Sequence, residues 1–321
     1  MKIVIPGGSG QVGTILARAF HARGEDVVVL SRHPVNVPWR VVRWDAASRG
    51  PWVTELEGAD VLINLAGRSV NCRYTVANRA AIKQSRLDST RVLGEAIAAA
   101  ARPPRVWLQS STATIYADRY DAPNDETHGI LGGMEPGVPS TWRFSIDVAT
   151  SWERAADLCA LPATRLVKMR SAMIMSPDAG GVFDTLLGLV RHGLGGQSGS
   201  GRQFVSWIHD RDFIRAVDWL VSHDHLTGPI NLAAPNPLPN AEFMRELRRA
   251  WGTRVGLPAT ELMLEVGAVF LKTETELVLK SRRVVPGVLL NDGFAFDFGQ
   301  WSAAAADLCT RWRSDRAQAA A

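Results

Sequence analysis

The sequence predicts an α/β fold, a doubly wound parallel sheet with a smaller α+β region towards its C-terminal end. Three observations carry this prediction. Short apolar runs without polar alternation recur in the first half of the chain, as in strands buried on both faces. Helical segments separate these runs, so right-handed crossovers are expected to join parallel strands. The pattern then changes after about residue 175.

The predicted strands and helices alternate along the chain. Helices are predicted at 11–23, 77–101 and 142–160. Strands are predicted at 2–6, 26–30, 40–44, 61–65, 105–110 and 164–169.

These elements suggest a division into two regions. We assign residues 1–175 to the doubly wound domain, to which 205–235 return. Residues 176–204 and 236–311 form a smaller region on the substrate side. Residues 312–321 are polar and alanine-rich, so we expect this tail to fray.

Composition narrows the class of protein. The 321 residues are 46 % hydrophobic and 21 % charged, as in ordinary globular proteins. No apolar run approaches the ~20 residues of a membrane span, and no secretory segment follows Met1, so we expect a cytoplasmic protein without a membrane partner. Three distant cysteines predict reduced thiols and no metal site. The net charge of +4 is spread along the chain and does not predict nucleic-acid binding.

A glycine-rich turn follows the first predicted strand and opens the first helix. Gly7 permits a tight turn, Gly10 lets the backbone approach a pyrophosphate, and Gly13 allows the helix to pack closely on the strand. The phosphates would then meet the free N–H groups of the helix. Because strand, turn, helix and second strand occur in order, we predict a Rossmann dinucleotide site. The predicted contacts are Gly7, Gly8, Ser9, Gly10, Gln11, Val12 and Gly13.

The residues after the second strand indicate which dinucleotide binds. NAD sites usually place an acidic side chain there to hold the ribose 2′-hydroxyl. This chain has Ser31 and Arg32 instead, and a guanidinium with a hydroxyl suits a 2′-phosphate. The sequence therefore predicts a preference for NADP(H) over NAD(H).

With these motifs, the sequence resembles the extended, sugar-nucleotide-epimerase-like arm of the short-chain dehydrogenase/reductase superfamily. Residues 64–67 (Asn-Leu-Ala-Gly) resemble the segment that lines the cofactor after the fourth strand, and Asp45 matches the acidic residue that contacts the adenine. Residues 110–116 (Ser-Ser-Thr-Ala-Thr-Ile-Tyr) resemble the stretch in which the third hydroxyl residue, here Thr112, polarises the substrate oxygen. The resemblance also implies cofactor contacts at Leu65, Ala66, Gly67, Ser110 and Ser111.

The resemblance extends over nearly the whole chain to a subgroup known as the atypical, epimerase-like reductases. In that subgroup Arg86 would be a further NADP contact. Helices corresponding to 77–101 and 142–160 pair in many extended relatives, so the resemblance makes a homodimer plausible. The matching segments are 73–75, 82–86, 195–203, 206–209, 228–232, 285–286 and 293–296.

One expected feature of the superfamily is missing. Most members use a Tyr-x-x-x-Lys pair, in which tyrosinate exchanges the proton and lysine lowers its pKa. None of the three tyrosines here has a lysine four residues later. Aligned on Trp152-Glu153, the pair is replaced by Ser145 and Ala149.

Three functions therefore stay open. The first is an NADP(H)-dependent oxidoreductase acting on a small carbonyl, alcohol or activated alkene. Its proton would come from Thr112, from Tyr116, or from Asp147, although Tyr116 also suits a structural role and Asp147 a solvated one. The second is a non-catalytic, redox-sensing NADP(H)-binding protein. The third, sugar-nucleotide epimerisation, needs a competent base and is the weakest. The sequence does not identify the substrate.

Overall fold

A computed structural model describes residues 1–33, 35–261, 263 and 274–320. The first half alternates strands with helices, as predicted. Its strands are β1 (Lys2–Pro6), β2 (Asp26–Ser31), β3 (Arg40–Arg43), β4 (Val61–Asn64), β5 (Val106–Thr112), β6 (Arg165–Ser171) and β7 (Met173–Met175). Its helices are α1 (Gln11–Ala22), α2 (Val76–Ala99) and α3 (Ser140–Asp157), with 3-10 turns at Pro51–Leu56 and Ala113–Ile115.

The second half contains shorter strands and more helix. The strands are β8 (Phe204–Val205), β9 (Trp207–His209), β10 (Gly228–Leu232) and β11 (Leu238–Pro239). The helices are α4 (Val182–Arg191), α5 (Asp210–Ser222), α6 (Asn240–Trp251), α7 (Glu276–Leu279), α8 (Gly287–Asn291) and α9 (Trp301–Ala320). None of the helices in the described part of the chain is long and apolar enough to cross a membrane.

The main sheet has seven strands in the order β10-β6-β5-β4-β1-β2-β3, and every neighbouring pair is parallel. This confirms the predicted doubly wound α/β fold. The chain leaves β1 towards β2 on one side, whereas β4 lies on the other side of β1. The strand order therefore reverses beside β1, and a ligand crevice is expected there, outside the carboxyl ends of the strands.

Apolar residues cover both faces of this sheet. On one face α1 and α5 pack with Leu16, Phe20 and Phe213 against the strands. On the other face Leu93 and Ile97 of α2 pack around the buried Trp107. Burial on both faces explains why the strands read as uninterrupted apolar runs.

A separate core holds α4, α6 and α9 together. Trp301 is 1 % exposed, stacks on Phe243 with ring centroids 4.0 Å apart, and packs against Trp207. The structure places residues 312–320, part of the tail that we expect to fray, in the last turns of α9, which ends at Ala320. Trp312 is buried in this core and its Nε1 donates a hydrogen bond to Asp184, which holds the last turns in place.

We predict that Trp301→Ala lowers the free energy of unfolding by about 3–5 kcal/mol, as measured by urea denaturation. The substitution leaves a cavity beside Phe243. It also removes the Trp301 Nε1–H, which donates a hydrogen bond to the Phe243 carbonyl. Leu158→Ala is the control, because Leu158 is 76 % exposed, and a change within about 0.5 kcal/mol is expected there. Equal losses in the two variants would contradict this account of the second core.

Candidate cofactor and substrate site

The glycine turn after β1 lies in close contact with the backbone after β4. Gly7 has φ +75°, and a Cβ at this position would come within 2.7 Å of the Ala66 Cα. A Cβ on Gly13 would meet the Gly8 Cα at 2.3 Å. Gly10 is the N-cap of α1 and carries no side chain that could cap the first amides of the helix. The turn therefore has the shape and the free donors that a pyrophosphate requires.

A cavity of about 250 Å³ opens beside this turn at the carboxyl ends of β5 and β6. The Nε2 of Gln11 is buried there and has no hydrogen-bond partner among the described residues. A Cβ on Gly181, at the start of α4, would lie 1.8 Å from the same atom. The cavity is lined by Gln11, Val12, Leu65, Ser110, Ser171, Ala172, Ile174, Val182 and Phe213. The Gln11 side-chain amide, which has no partner among the described residues, is therefore suited to donate a hydrogen bond to a polar group of a ligand in this cavity.

A second cleft, of about 450 Å³, lies at the ends of β2 and β3. Arg32 and Arg43 both line it, and within the described ranges neither guanidinium forms a hydrogen bond or an ion pair. Trp44 and Trp52 form its apolar wall. The sequence interpretation missed Arg43. Because β3 pairs in parallel with β2, the arginine that ends β3 could have been placed near Arg32.

Two residues predicted to hold the adenosine half are tied to their own neighbours. Ser31 is 4 % exposed, and its hydroxyl donates to Ser9 Oγ at 3.0 Å. The Ser31 hydroxyl therefore links β2 to the glycine turn, and Ser31 does not line the cleft. Asp45 lines the cleft, but its carboxylate accepts hydrogen bonds from the Ser48 hydroxyl and from the amides of Ser48 and Ala47. These bonds, that of the Ser48 hydroxyl foremost, lower the pKa of Asp45 to about 2.

The segment after β4, for which the resemblance implies cofactor contacts at Leu65, Ala66 and Gly67, lies against the glycine turn. Leu65 lines the smaller cavity and Ala66 contacts Gly7. Arg86 lies behind this segment, where its Nη1 donates to the carbonyls of Arg68 and Ile82. Its guanidinium also lies over the Trp152 ring at 4.9 Å, and burial lowers its pKa to about 10. In this arrangement Arg86 braces the backbone after β4 and does not line the cavity.

The hydroxyl residues that end β5 face different ways. Ser110 lines the smaller cavity. Ser111 points into the interior, where its hydroxyl donates a hydrogen bond to Glu153 at 2.6 Å, and its contact with a cofactor stays a prediction. Thr112 is half-buried at the carboxyl end of β5, and its Oγ1 accepts from the Thr114 amide at 3.2 Å. No described residue accepts a hydrogen bond from its hydroxyl, which a role at the substrate would require.

Tyr116 does not reach the crevice. The side chain is 2 % exposed, its hydroxyl donates to Asn231 at 2.9 Å, and Arg170 donates to the same oxygen at 2.9 Å. Arg170 in turn forms a buried ion pair with Glu153. The buried network gives Tyr116 the structural role that the sequence also suits, and proton donation by Tyr116 stays a prediction.

The missing tyrosine–lysine pair is replaced by a different group of side chains. Ala149 is buried against the Ala113–Ile115 turn. Ser145 Oγ donates to Glu276 Oε2 at 2.5 Å and lies 3.5 Å from the Tyr74 hydroxyl. Asp147, the other candidate on α3, is exposed and pairs with Lys83. Sequence reasoning missed Glu276, because no local pattern connects it with a residue 131 positions earlier.

The segment around α7 also fixes the turn that follows β5. Lys280 Nζ donates to the Thr114 carbonyl at 2.8 Å, and Arg282 Nε donates to Thr114 Oγ1 at 3.1 Å. Lys280 is 2 % exposed, and burial lowers its pKa to about 8. The Glu274 carboxylate accepts from the Tyr74 amide at 2.6 Å. No group of three metal-ligating side chains occurs in the part of the chain that was described.

Known proteins are similar to this chain in sequence and in fold. Residues 3–233 match the NAD dependent epimerase/dehydratase family, and residues 259–308 match a domain of unknown function designated DUF1731. The human epimerase family protein SDR39U1 is 31 % identical over 95 % of this chain and 98 % of its own length. The epimerase family protein SERP0438 of Staphylococcus epidermidis is 30 % identical over 96 % of this chain and 98 % of its own.

A solved structure extends the similarity to three dimensions. The crystal structure of human SDR39U1 with NADPH has a TM-score of 0.82 and 30 % identity, over 97 % of this chain and 99 % of that one. The chain belongs to the NAD dependent epimerase/dehydratase family, in the epimerase-like arm of the short-chain dehydrogenase/reductase superfamily that its motifs indicate.

Proposed function

We propose that this protein is an NADP(H)-dependent oxidoreductase that acts on a small molecule with a carbonyl, hydroxyl or activated alkene group. The observation that carries the proposal is a cleft whose two arginines form no ion pair with any described residue, beside a glycine turn shaped for pyrophosphate. The human relative solved with NADPH supports the choice of coenzyme. Bound NADPH supplies a hydride for transfer.

Each part of the site has a role in this proposal. The glycine turn and the first amides of α1 bind the pyrophosphate. Arg32 and Arg43 bind the 2′-phosphate, since two guanidiniums match the geometry and charge of a phosphate. The cavity beside Gln11 and Ser110 takes the nicotinamide end. Thr112 then orients the substrate oxygen.

A second candidate is a protein that binds NADP(H) without turnover. The absence of the tyrosine–lysine pair among residues 140–157 favours it. Sugar-nucleotide epimerisation is weaker, because it needs reversible oxidation and a competent base. We also expect a cytoplasmic homodimer, in which the adjacent helices α2 and α3 meet their counterparts.

We predict that Arg32→Ala and Arg43→Ala each weaken NADPH binding about ten- to a hundredfold in calorimetric titrations and leave NADH binding unchanged. Each variant removes a charged hydrogen bond that the 2′-phosphate alone can accept. Arg40→Ala is the matched control, because Arg40 lies on the same strand as Arg43 and pairs with Glu55. If the wild-type protein binds NADH as tightly as NADPH, the assignment of this cleft to the 2′-phosphate is wrong.

We predict that Thr112→Ala slows oxidation of NADPH by a carbonyl substrate about ten- to a hundredfold without changing NADPH affinity. The rate is followed by NADPH absorbance with a panel of small aldehydes, ketones and quinones. Thr310→Ala, on the exposed face of α9, is the control. If no compound is reduced while NADPH binds, the non-catalytic alternative replaces the oxidoreductase.

A further inference from the structure

The cavity at the carboxyl ends of β5 and β6 has a lining without charge. None of the nine described residues that form its wall is acidic or basic. Three carry uncharged polar groups, namely Gln11, Ser110 and Ser171, and the other six are apolar, among them Val182 and Phe213. The volume of about 250 Å³ lies below the roughly 300–1,000 Å³ of pockets that enclose drug-sized ligands. The cavity therefore suits a small group that carries no charge.

The charged residues that adjoin this lining in the sequence are held by other partners. Arg170, which precedes the lining residue Ser171, forms a buried ion pair with Glu153. Asp212, which precedes Phe213, is fully buried and accepts hydrogen bonds from two backbone amides and one arginine. Both charges are thus already compensated, and neither is available to neutralise a charge on a ligand in the cavity.

The helix ends beside the cavity do not supply a counter-charge for an anion either. The first amides of α1 are assigned to the coenzyme pyrophosphate. The first turn of α4 contains Asp184, whose carboxylate accepts from the Gly180 amide at 2.9 Å and offsets the positive end of the helix dipole. The unpaired amide of Gln11 is neutral, and one neutral donor does not repay the desolvation of a carboxylate or a phosphate.

We propose that the substrate enters this cavity with a small, uncharged end that bears the reacting carbonyl group. The inference rests on the proposed oxidoreductase function and names its substrate class: neutral aldehydes and ketones, to the exclusion of compounds with a charged group next to the carbonyl. Hydride transfer brings the two reacting carbons to about 3–3.5 Å, so the substrate shares the cavity with the nicotinamide. Thr112, assigned to the substrate oxygen, pairs in register with Ser171 of the lining.

The reduction balances with NADPH and one proton. The hydride of NADPH forms a bond to the carbonyl carbon, and NADPH is oxidised to NADP⁺. The electron pair of the carbonyl π bond moves to the oxygen, which takes one proton from solvent. The carbonyl compound leaves as the alcohol.

The experiment compares two pairs of probes that are matched in shape and differ in charge. Methyl pyruvate is compared with pyruvate, and 3,3-dimethylbutanal with betaine aldehyde. The ester is the more electrophilic member of the first pair and the charged aldehyde that of the second, so a preference for the neutral member of both pairs reports charge and not reactivity. We expect kcat/KM for NADPH oxidation to be about a hundredfold higher for each neutral member, because a charge buried without a partner is strongly disfavoured.

Binding is measured separately, by ligand-observed NMR titration of each probe into the protein saturated with NADP⁺, where no turnover occurs. We expect the neutral members to bind at least about tenfold more tightly. Val182→Arg places a guanidinium in the lining and is expected to strengthen the binding of pyruvate about tenfold without a gain for betaine aldehyde. Leu189→Arg is the matched control, because Leu189 is 41 % exposed on the same helix, Val182 is 39 % exposed, and Leu189 does not line the cavity.

The outcomes separate this inference from the proposed function. Charged probes that bind and react as well as their neutral partners overturn the inference and leave the oxidoreductase in place. A gain for pyruvate of equal size in Leu189→Arg, or no binding of any of the four probes to the NADP⁺ complex, also contradicts it. If Val182→Arg does not fold, the two wild-type ratios still decide. Preferential binding of the neutral probes without any reduction supports the uncharged cavity and refutes the oxidoreductase.

Discussion

The site depends on one close backbone approach, between the glycine turn after β1 and the segment after β4. The Gly7 and Ala66 backbones lie so near that a single added Cβ would clash at 2.7 Å. The approach is possible because β1 pairs in parallel with both β2 and β4, which brings all three carboxyl ends to one edge. The first amides of α1, the cavity and the arginine cleft are all positioned by that edge.

The C-terminal segment adds the second constraint. Lys280 and Arg282 are buried and donate hydrogen bonds to the turn after β5. Burying these two charges carries a large desolvation cost. Hydrophobic side chains of similar size would pack at lower cost. The hydrogen bonds that the two cations donate to Thr114 hold the C-terminal segment against this turn and so fix the end of β5.

Pattern and spacing were sufficient for six of the seven strands of the sheet, for the alternation of strands and helices and for the glycine turn, because burial on both faces leaves a continuous apolar signal. They were less reliable for individual side chains. Ser110 and Ser111 were both predicted to contact the coenzyme, yet successive side chains of a strand point to opposite faces. Ser110 reaches the cavity, and Ser111 reaches Glu153. The family resemblance suggested Arg86 in the same way, but its bonds to backbone carbonyls become visible only in three dimensions.

Hydrogen–deuterium exchange with and without NADPH tests the central claim most directly, namely that one ligand lies across the whole sheet edge. The account predicts that NADPH slows exchange together at the glycine turn, at the ends of β2 and β3, and at the ends of β5 and β6. The first amides of α1 should show the greatest change, since they have no acceptor in the helix. Protection confined to one of these loops, or found away from the carboxyl edge, would contradict the account.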